Sequence, residues 1–220
     1  TVGMTKAYVE TKGAAANAMA YYARSDMVVV DMGINADMSG VPNLLDRKIA
    51  WGTKNIAEGP AMTRLEAIRS IETGIEIADE KAREGYRVFT IGEMGISNTT
   101  SSACILGAFN HWNAIEVTGR GTNISDERLR HKIDVVQRAM DVNHPDPNDG
   151  LDVLSKVGGF EYGCMTGVIL GAAANHALTI IDGFNTTASA FIAKALCPEV
   201  VHYLMASHLS LEQAHKKSLA

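Results

Sequence analysis

No basic block runs through this sequence. Its 20 lysines and arginines stand against 25 aspartates and glutamates, a formal net charge of −5. That balance argues against nucleic acid or an acidic membrane as the main partner. Cysteine is scarce: Cys104, Cys164 and Cys197 are widely spaced, sit in apolar runs and form no CxxC pair. An odd, scattered set favours reduced, buried thiols in a cytoplasmic protein over a disulfide framework. Aromatic residues are 6% and do not alternate with basic ones, so a stacking platform for single-stranded nucleic acid has little to build on. The longest apolar stretch, Val168 to Ile181, is interrupted by Asn175 and His176 and is too short to span a bilayer. The first residues are not a basic segment followed by an apolar run, so no secretory signal is expected. The sequence also opens without a methionine, as a processed or partial sequence does.

Several motifs are missing as well. No GxGxxG opens a helix in the right place, and no GxxxxGK[ST] occurs, which leaves a dinucleotide fold or a Walker loop unsupported. The seven histidines are scattered without an HExxH, so no metal site is expected. No GxSxG elbow supports a serine nucleophile.

What is present is an ordinary globular composition, 46% hydrophobic and 20% charged, in a length suited to one well-cored domain, or to one domain with a small appendage. Ala7 to Ala23 is alanine-rich and reads as one helix weakened by Gly13. Asp26 to Asp31 reads as a strand, and Gly40 to Lys48 as a surface excursion. Thr63 and Glu66 make a capping box for a helix whose stripe is Leu65, Ile68, Ile71, Ile75, Ala78 and Ala82, with Gly85 as its stop. Helix, glycine, strand, glycine turn and helix then follow, the signature of a βαβ unit with parallel strands. The expected fold is α/β, a mostly parallel sheet in a Rossmann-like three-layer arrangement. Residues 1–24 would form a helical segment left from a smaller domain, and 25–220 the α/β domain, truncated at its C-terminal end.

The central stretch is Val88-Phe-Thr-Ile91, read as a buried strand, running into Gly92-Glu-Met-Gly-Ile-Ser-Asn-Thr-Thr100 and a small-residue helix. Strand, glycine turn and hydroxyl-rich helix start present unpaired N–H groups to an anion. Glu93 would be repelled by a phosphate and suits the hydroxyls of a sugar instead. The alternative is an ordinary turn with Asn and Thr as caps. After Asn113 to Val117, read as a short strand, a second glycine turn holds Gly119, Gly121, Thr122 and Asn123. Ser125 then caps a helix with Leu129, Ile133, Val136 and Met140 on its buried stripe. Lys132 lies beside that stripe; its ordinary fate is to snorkel to solvent, the alternative being to reach a phosphate over the turn. Asn143 to Gly150 is a proline-rich loop, Leu151 to Val157 and Met165 to Ala174 read as helices, and Val200 to Ala206 as a final strand. The tail from Glu212 starts as a helix. The strand Leu178 to Ile181 ends in Asp182-Gly-Phe-Asn-Thr-Thr187, which repeats the Glu93 turn, and Asp31-Met-Gly33 is a weaker third case. Acid–glycine turns at equivalent strand ends argue for one shared crevice.

Five segments stand in the order and spacing of one enzyme family. They are Gly92 to Thr100, Val117 to Thr122, Asp152 to Glu161, Gly167 to Ala174 and Ile181 to Phe184. With Gly52 to Ile56 and Pro60 to Arg64, they resemble the nicotinate-nucleotide–dimethylbenzimidazole phosphoribosyltransferases. The resemblance implies a homodimeric cytoplasmic enzyme without metal or other cofactor. It would move the 5-phosphoribosyl group of nicotinate mononucleotide to an aromatic base and make the α-ribazole phosphate of cobamides. It assigns phosphate and ribose to Glu93, Met94, Gly95, Ile96, Ser97, Asn98, Thr99, Thr100 and Lys132, the family's lysine. The nicotinate side would be Gly121, Thr122, Asn123, Ser207 and Ser210. Asn123 stands where the family has glycine, and Ala7 falls near its base-contacting glutamine. The family's general base is a glutamate expected beyond Ala220, so no catalytic residue is assigned in this chain. Two other readings stand beside it: a nucleotide-binding subunit that partners an active homologue, and a sugar or nucleotide kinase suggested by Val28 to Gly33.

Overall fold

The computed structural model describes residues 1–121 and 124–219. They divide into two compact units, Thr1–Thr53 with Met94–Ile96, and Lys54–Glu93 with Ser97–Ala220.

In the first unit, helices α1 (Val2–Val9) and α2 (Ala15–Ala23) replace the single helix expected over Ala7 to Ala23. Between them Lys12 takes φ 51° before Gly13, so the helical path is lost where glycine already disfavours it. Strands β1 (Val29–Asp31) and β2 (Leu44–Asp46) pair in parallel, Val29 opposite Leu44 and Asp31 opposite Asp46. The expected strand is thus shorter than Asp26 to Asp31, and Gly40 to Lys48 holds a strand rather than only an excursion. The Asp31 carboxylate closes its own turn by accepting from Gly33 N and Ile34 N, and Lys48 Nζ donates to it at 2.7 Å. Asp31 is therefore spent inside this two-stranded sheet, which is separate from that of the Glu93 and Asp182 turns.

The second unit carries helix α3 (Arg64–Arg83), strand β3 (Val88–Ile91) and helices α4 (Asn98–Asn110), α5 (Ala114–Val117), α6 (Asp126–Asn143), α7 (Gly150–Val157) and α8 (Phe160–Ala174). Strand β4 (Leu178–Ile181), helix α9 (Phe184–Leu196), a 3₁₀ turn (Pro198–Tyr203), strand β5 (Leu204–Ala206) and helix α10 (His215–Ser218) complete it. The strands form one parallel sheet in the order β3-β4-β5, with Ile91 opposite Ile181 and Ile181 opposite Ala206. All three carboxyl ends therefore fall at one edge.

The architecture is α/β with parallel sheets, as expected, and several elements differ from the sequence reading. Strand β3 is an edge strand among the described residues; only Ile91 is buried, and Val88 is 55% exposed. Asn113 to Val117 is a helical turn, because Asn113 and Glu116 satisfy each other's backbone N–H in a capping box. Val200 to Ala206 is mostly the 3₁₀ turn that follows Pro198. The last helix starts at His215 rather than at Glu212, and α8 starts five residues before Met165.

The Thr63–Glu66 capping box is present at the start of α3. Leu65 faces solvent, while Ala67, Ser70, Ile71, Gly74, Ile77, Ala78 and Ala82 are buried. That stripe lies on α8, where Gly163, Gly167 and Gly171 recur every fourth residue against Ser70, Ile71 and Ala78. Replacing Thr63 by alanine removes a hydroxyl that accepts from Glu66 N at 3.2 Å. It is expected to lower unfolding free energy by about 1 kcal/mol, read as a shift of the urea midpoint at constant slope.

Among the described residues no helix is long and apolar enough to cross a membrane. Cys104 and Cys164 are buried free thiols pushed up to about 12 by burial, and Cys197 is a half-buried free thiol.

Candidate functional site

The turn after β3 carries Glu93, half-buried, and both of its carboxylate oxygens accept side-chain amides. Asn98 Nδ2 in the first turn of α4 donates to Oε2, and Asn185 Nδ2 in the first turn of α9 donates to Oε1 at 2.5 Å. Asn185 thereby ties the end of β4 to the end of β3. Behind it Ser102 Oγ donates to Asn185 Oδ1 at 2.7 Å and lies 2.7 Å from the Tyr162 hydroxyl, which donates to Asn98 O. Ser102 and Tyr162 are fully buried. Burial, with the Glu161 charge behind it, holds the Tyr162 phenol well above its usual range, so it remains a donor.

Helix α4 begins after Ser97, which adopts φ 68° and places no side-chain cap on the helix. An uncapped start leaves the first N–H groups of the helix to another acceptor. Thr99 in that turn accepts from Lys132 Nζ at 2.8 Å, and the same ammonium donates to Gly119 O at 3.1 Å. Lys132 therefore points inward, not out along the stripe as a snorkelling lysine would. Burial lowers its pKa, and the Glu212 carboxylate opposes that shift. Gly121 packs against the pair at φ 56°; a Cβ there would lie 3.2 Å from Thr99 Oγ1 and 3.6 Å from Lys132 Nζ. The turn from Thr118 to Gly121, with Leu129 and residues 211–213, lines a cleft of about 560 Å³.

After β5 the chain folds back over the β4 turn. Ser207 Oγ donates to Asp182 O, and the Gly183 Cα faces the His208 ring and Ser210. Ser210 N donates to Nδ1 of His215, which is fully buried, at 2.9 Å. The ring proton therefore sits on Nε2, which donates to Thr187 Oγ1 at 3.1 Å, and Thr187 donates onward to Gly183 O. Burial, and then the neighbouring His208, lower the pKa of His215 and keep it neutral.

Of the residues singled out from sequence, Glu93, Asn98, Thr99, Lys132 and Gly121 are joined by these contacts. Ser207 and Ser210 lie on the neighbouring β4 turn. Ser97 O accepts from Thr100 N at 2.9 Å, the backbone bond that opens α4. Met94, Gly95 and Ile96 group with the first unit, where Ile96 is 78% exposed. Thr122 and Asn123 lie outside the described residues. Sequence reasoning passes over Ser102, Tyr162, Asn185 and Glu161. The Asn-Thr-Thr repeat points toward Asn185, whereas nothing local marks Ser102 or Tyr162.

A parallel α/β sheet thus carries a carboxylate, a half-buried lysine and an uncapped helix start at its carboxyl edge. A family model described as a phosphoribosyltransferase matches residues 1–220, and the chain belongs to that family. A relative from Clostridioides difficile, named nicotinate-nucleotide–dimethylbenzimidazole phosphoribosyltransferase, is 49% identical over 89% of this chain and 56% of its own length. One of the same name from Geobacter metallireducens is 47% identical over 93% of this chain and 58% of its own. A crystal structure of CobT from Thermus thermophilus superposes with a TM-score of 0.93 at 36% identity, covering 99% of this chain and 65% of that one. The chain thus spans rather more than half the length of the proteins it matches.

Proposed function

We propose that this chain is the nucleotide-binding part of an enzyme that transfers the 5-phosphoribosyl group of nicotinate mononucleotide. The acceptor is an aromatic base of the dimethylbenzimidazole class, and the products are nicotinate and an α-ribazole 5′-phosphate for cobamide assembly. The observation that carries this reading is Lys132 on Thr99 at the uncapped start of α4, five residues past Glu93. The phosphate takes the α4 N-terminus, from Ser97 to Thr100, together with the ammonium. Glu93, already an acceptor on both oxygens, turns its remaining lone pairs to the ribose hydroxyls. Breaking the N-glycosidic bond builds positive charge on the ribose ring, so a fixed carboxylate and an anchored phosphate both lower the barrier. Gly121, Ser207 and Ser210 flank the nicotinate side. The names of the relatives support the same donor and acceptor. We place the enzyme in the cytoplasm as a homodimer.

Calorimetry with nicotinate mononucleotide tests the site. The chain binds it, and Lys132→Ala weakens binding about ten- to hundred-fold, the worth of a charge-assisted phosphate contact. Nicotinate riboside, lacking the phosphate, binds both proteins equally. A folded chain that binds no mononucleotide, or equal affinity in the two proteins, overturns the assignment.

A further inference from the structure

The contacts behind Glu93 carry more than its role as a sugar acceptor. Asn185 lies 92 residues from Glu93 and donates to Oε1, while its own carbonyl oxygen accepts from Ser102. An asparagine amide has two chemically different ends, and only a partner decides which way it faces. Ser102 supplies that partner. Its hydroxyl gives its single proton to Asn185 Oδ1, and the buried Tyr162 hydroxyl that lies 2.7 Å behind it is itself fixed by donating to Asn98 O. With Oδ1 engaged, the NH₂ end of Asn185 must face Glu93. The reverse orientation would turn the Ser102 proton away from Asn185 toward the Tyr162 oxygen and set a carbonyl oxygen against the Glu93 carboxylate, and it is this last contact that carries the cost.

We propose that Asn185, oriented by Ser102 and Tyr162, is a positioning residue that fixes the Glu93 carboxylate for the ribose of the donor nucleotide. The inference rests on the function proposed above, and it makes the β4 turn part of the donor site through a side chain with no need to touch substrate. Of these four residues Glu93 alone meets the ligand; the three behind it set the rotamer that the ribose encounters. Two asparagines from two helix starts hold one carboxylate, so the spacing of β3 and β4 fixes where that carboxylate stands.

Asn185→Asp tests this with nearly unchanged shape. At about pH 8 two carboxylates then face each other, and the affinity for nicotinate mononucleotide falls about ten- to hundred-fold below that of the unmodified chain. As the pH drops toward about 5.5 the pair shares one proton, a hydrogen bond to Glu93 returns, and the deficit shrinks. Glu161 and Tyr162 face the same carboxylate in both proteins, so the ratio of the two affinities isolates the new carboxyl. Ser102→Ala, which only frees the amide to turn, costs about three- to tenfold. A loss in Asn185→Asp that does not vary with pH, or no loss at all, overturns the proposal. If the unmodified chain binds no mononucleotide, the functional reading fails by itself. The positioning role is then judged from crystals of both variants at about pH 8, where a Glu93 rotamer that has swung away supports it and an unmoved one overturns it.

Discussion

Gly167→Ala is expected to destabilise the second unit by about 3 kcal/mol, although alanine is the better helix former. The sign follows from what a methyl group would meet. A Cβ on Gly167 would fall within 3.0 Å of the Ile71 carbonyl and of the Gly74 Cα, both backbone of the facing helix. A flexible side chain could yield at little cost, but two helices packed backbone to backbone can only move apart. Separation would loosen the contacts of Ile71, Ala78 and Ala82, all buried. The propensity gain of alanine over glycine is about 1 kcal/mol, and overpacking a well-filled core costs one to three times that or more. Gly3→Ala in α1, where nothing lies within 4 Å, has only the propensity term and should be neutral or slightly stabilising. Urea unfolding of the two variants checks the pair. A Gly167→Ala midpoint at or above that of the unmodified chain would show that α3 and α8 are not held at backbone contact.

The close crossing also shows where sequence pattern stops being informative. The small residues of α8 are evident in the sequence, but which face of α3 meets them is not. Of the stripe read from sequence, Ile71, Ala78 and Ala82 are buried, whereas Leu65, Ile68 and Ile75 are not, and the buried face is offset toward Ala67, Ser70 and Gly74. Small residues let helices approach, so the interface follows the glycines rather than the leucines. Elements bounded by local chemistry are legible almost to the residue. The capping box starts α3, and Val88–Ile91 and Leu178–Ile181 are the strands expected from their β-branched runs. Asn113 to Val117 misleads because Ile115 and Val117 favour strand, while the capping box of Asn113 and Glu116 outweighs them. The broken helix at Lys12 and Gly13 shows the same competition, with one glycine outweighing a run of alanines.

The site is legible in its polar anchors and not in their support. Glu93 and Thr99 stand in or beside the glycine turn after β3, where chemistry shows in the sequence, whereas Lys132 lies inside α6 and is marked only by the family resemblance. Ser102 and Tyr162 meet across 60 residues, inside two helices whose patterns give no reason to prefer that contact. The resemblance to a family names the donor site; the hydrogen bonds show how its carboxylate is held.

Glu161 closes one of the family segments and has no assigned role, yet among the described residues it has the largest resolved pKa displacement of any carboxyl. It sits in the first turn of α8, its carboxylate folded back over Gly159, which leaves no room there for a Cβ. Burial raises its pKa from the usual 4.5 to about 7; its own backbone N–H opposes the shift and the Glu93 charge adds to it. A carboxyl whose folded pKa is raised binds its proton more tightly folded than unfolded. Its contribution to stability is therefore complete below about pH 4.5 and is lost as the pH rises through about 7. Above that range the folded chain must carry a desolvated charge beside Glu93. Allowing for the solvent contact the residue retains, the cost is about 2 kcal/mol. Glu161→Gln keeps the shape and removes the charge, so at about pH 8 the variant should be more stable than the unmodified chain by about that amount. Near pH 4.5 the two should converge, because the unmodified side chain is then neutral as well. Thermal or urea unfolding at several pH values reads the difference directly. Parallel stability curves for the two proteins would show that Glu161 ionises as freely folded as unfolded. Converging curves would mean that part of the stability of this fold is given up at neutral pH to keep a second carboxyl behind Glu93.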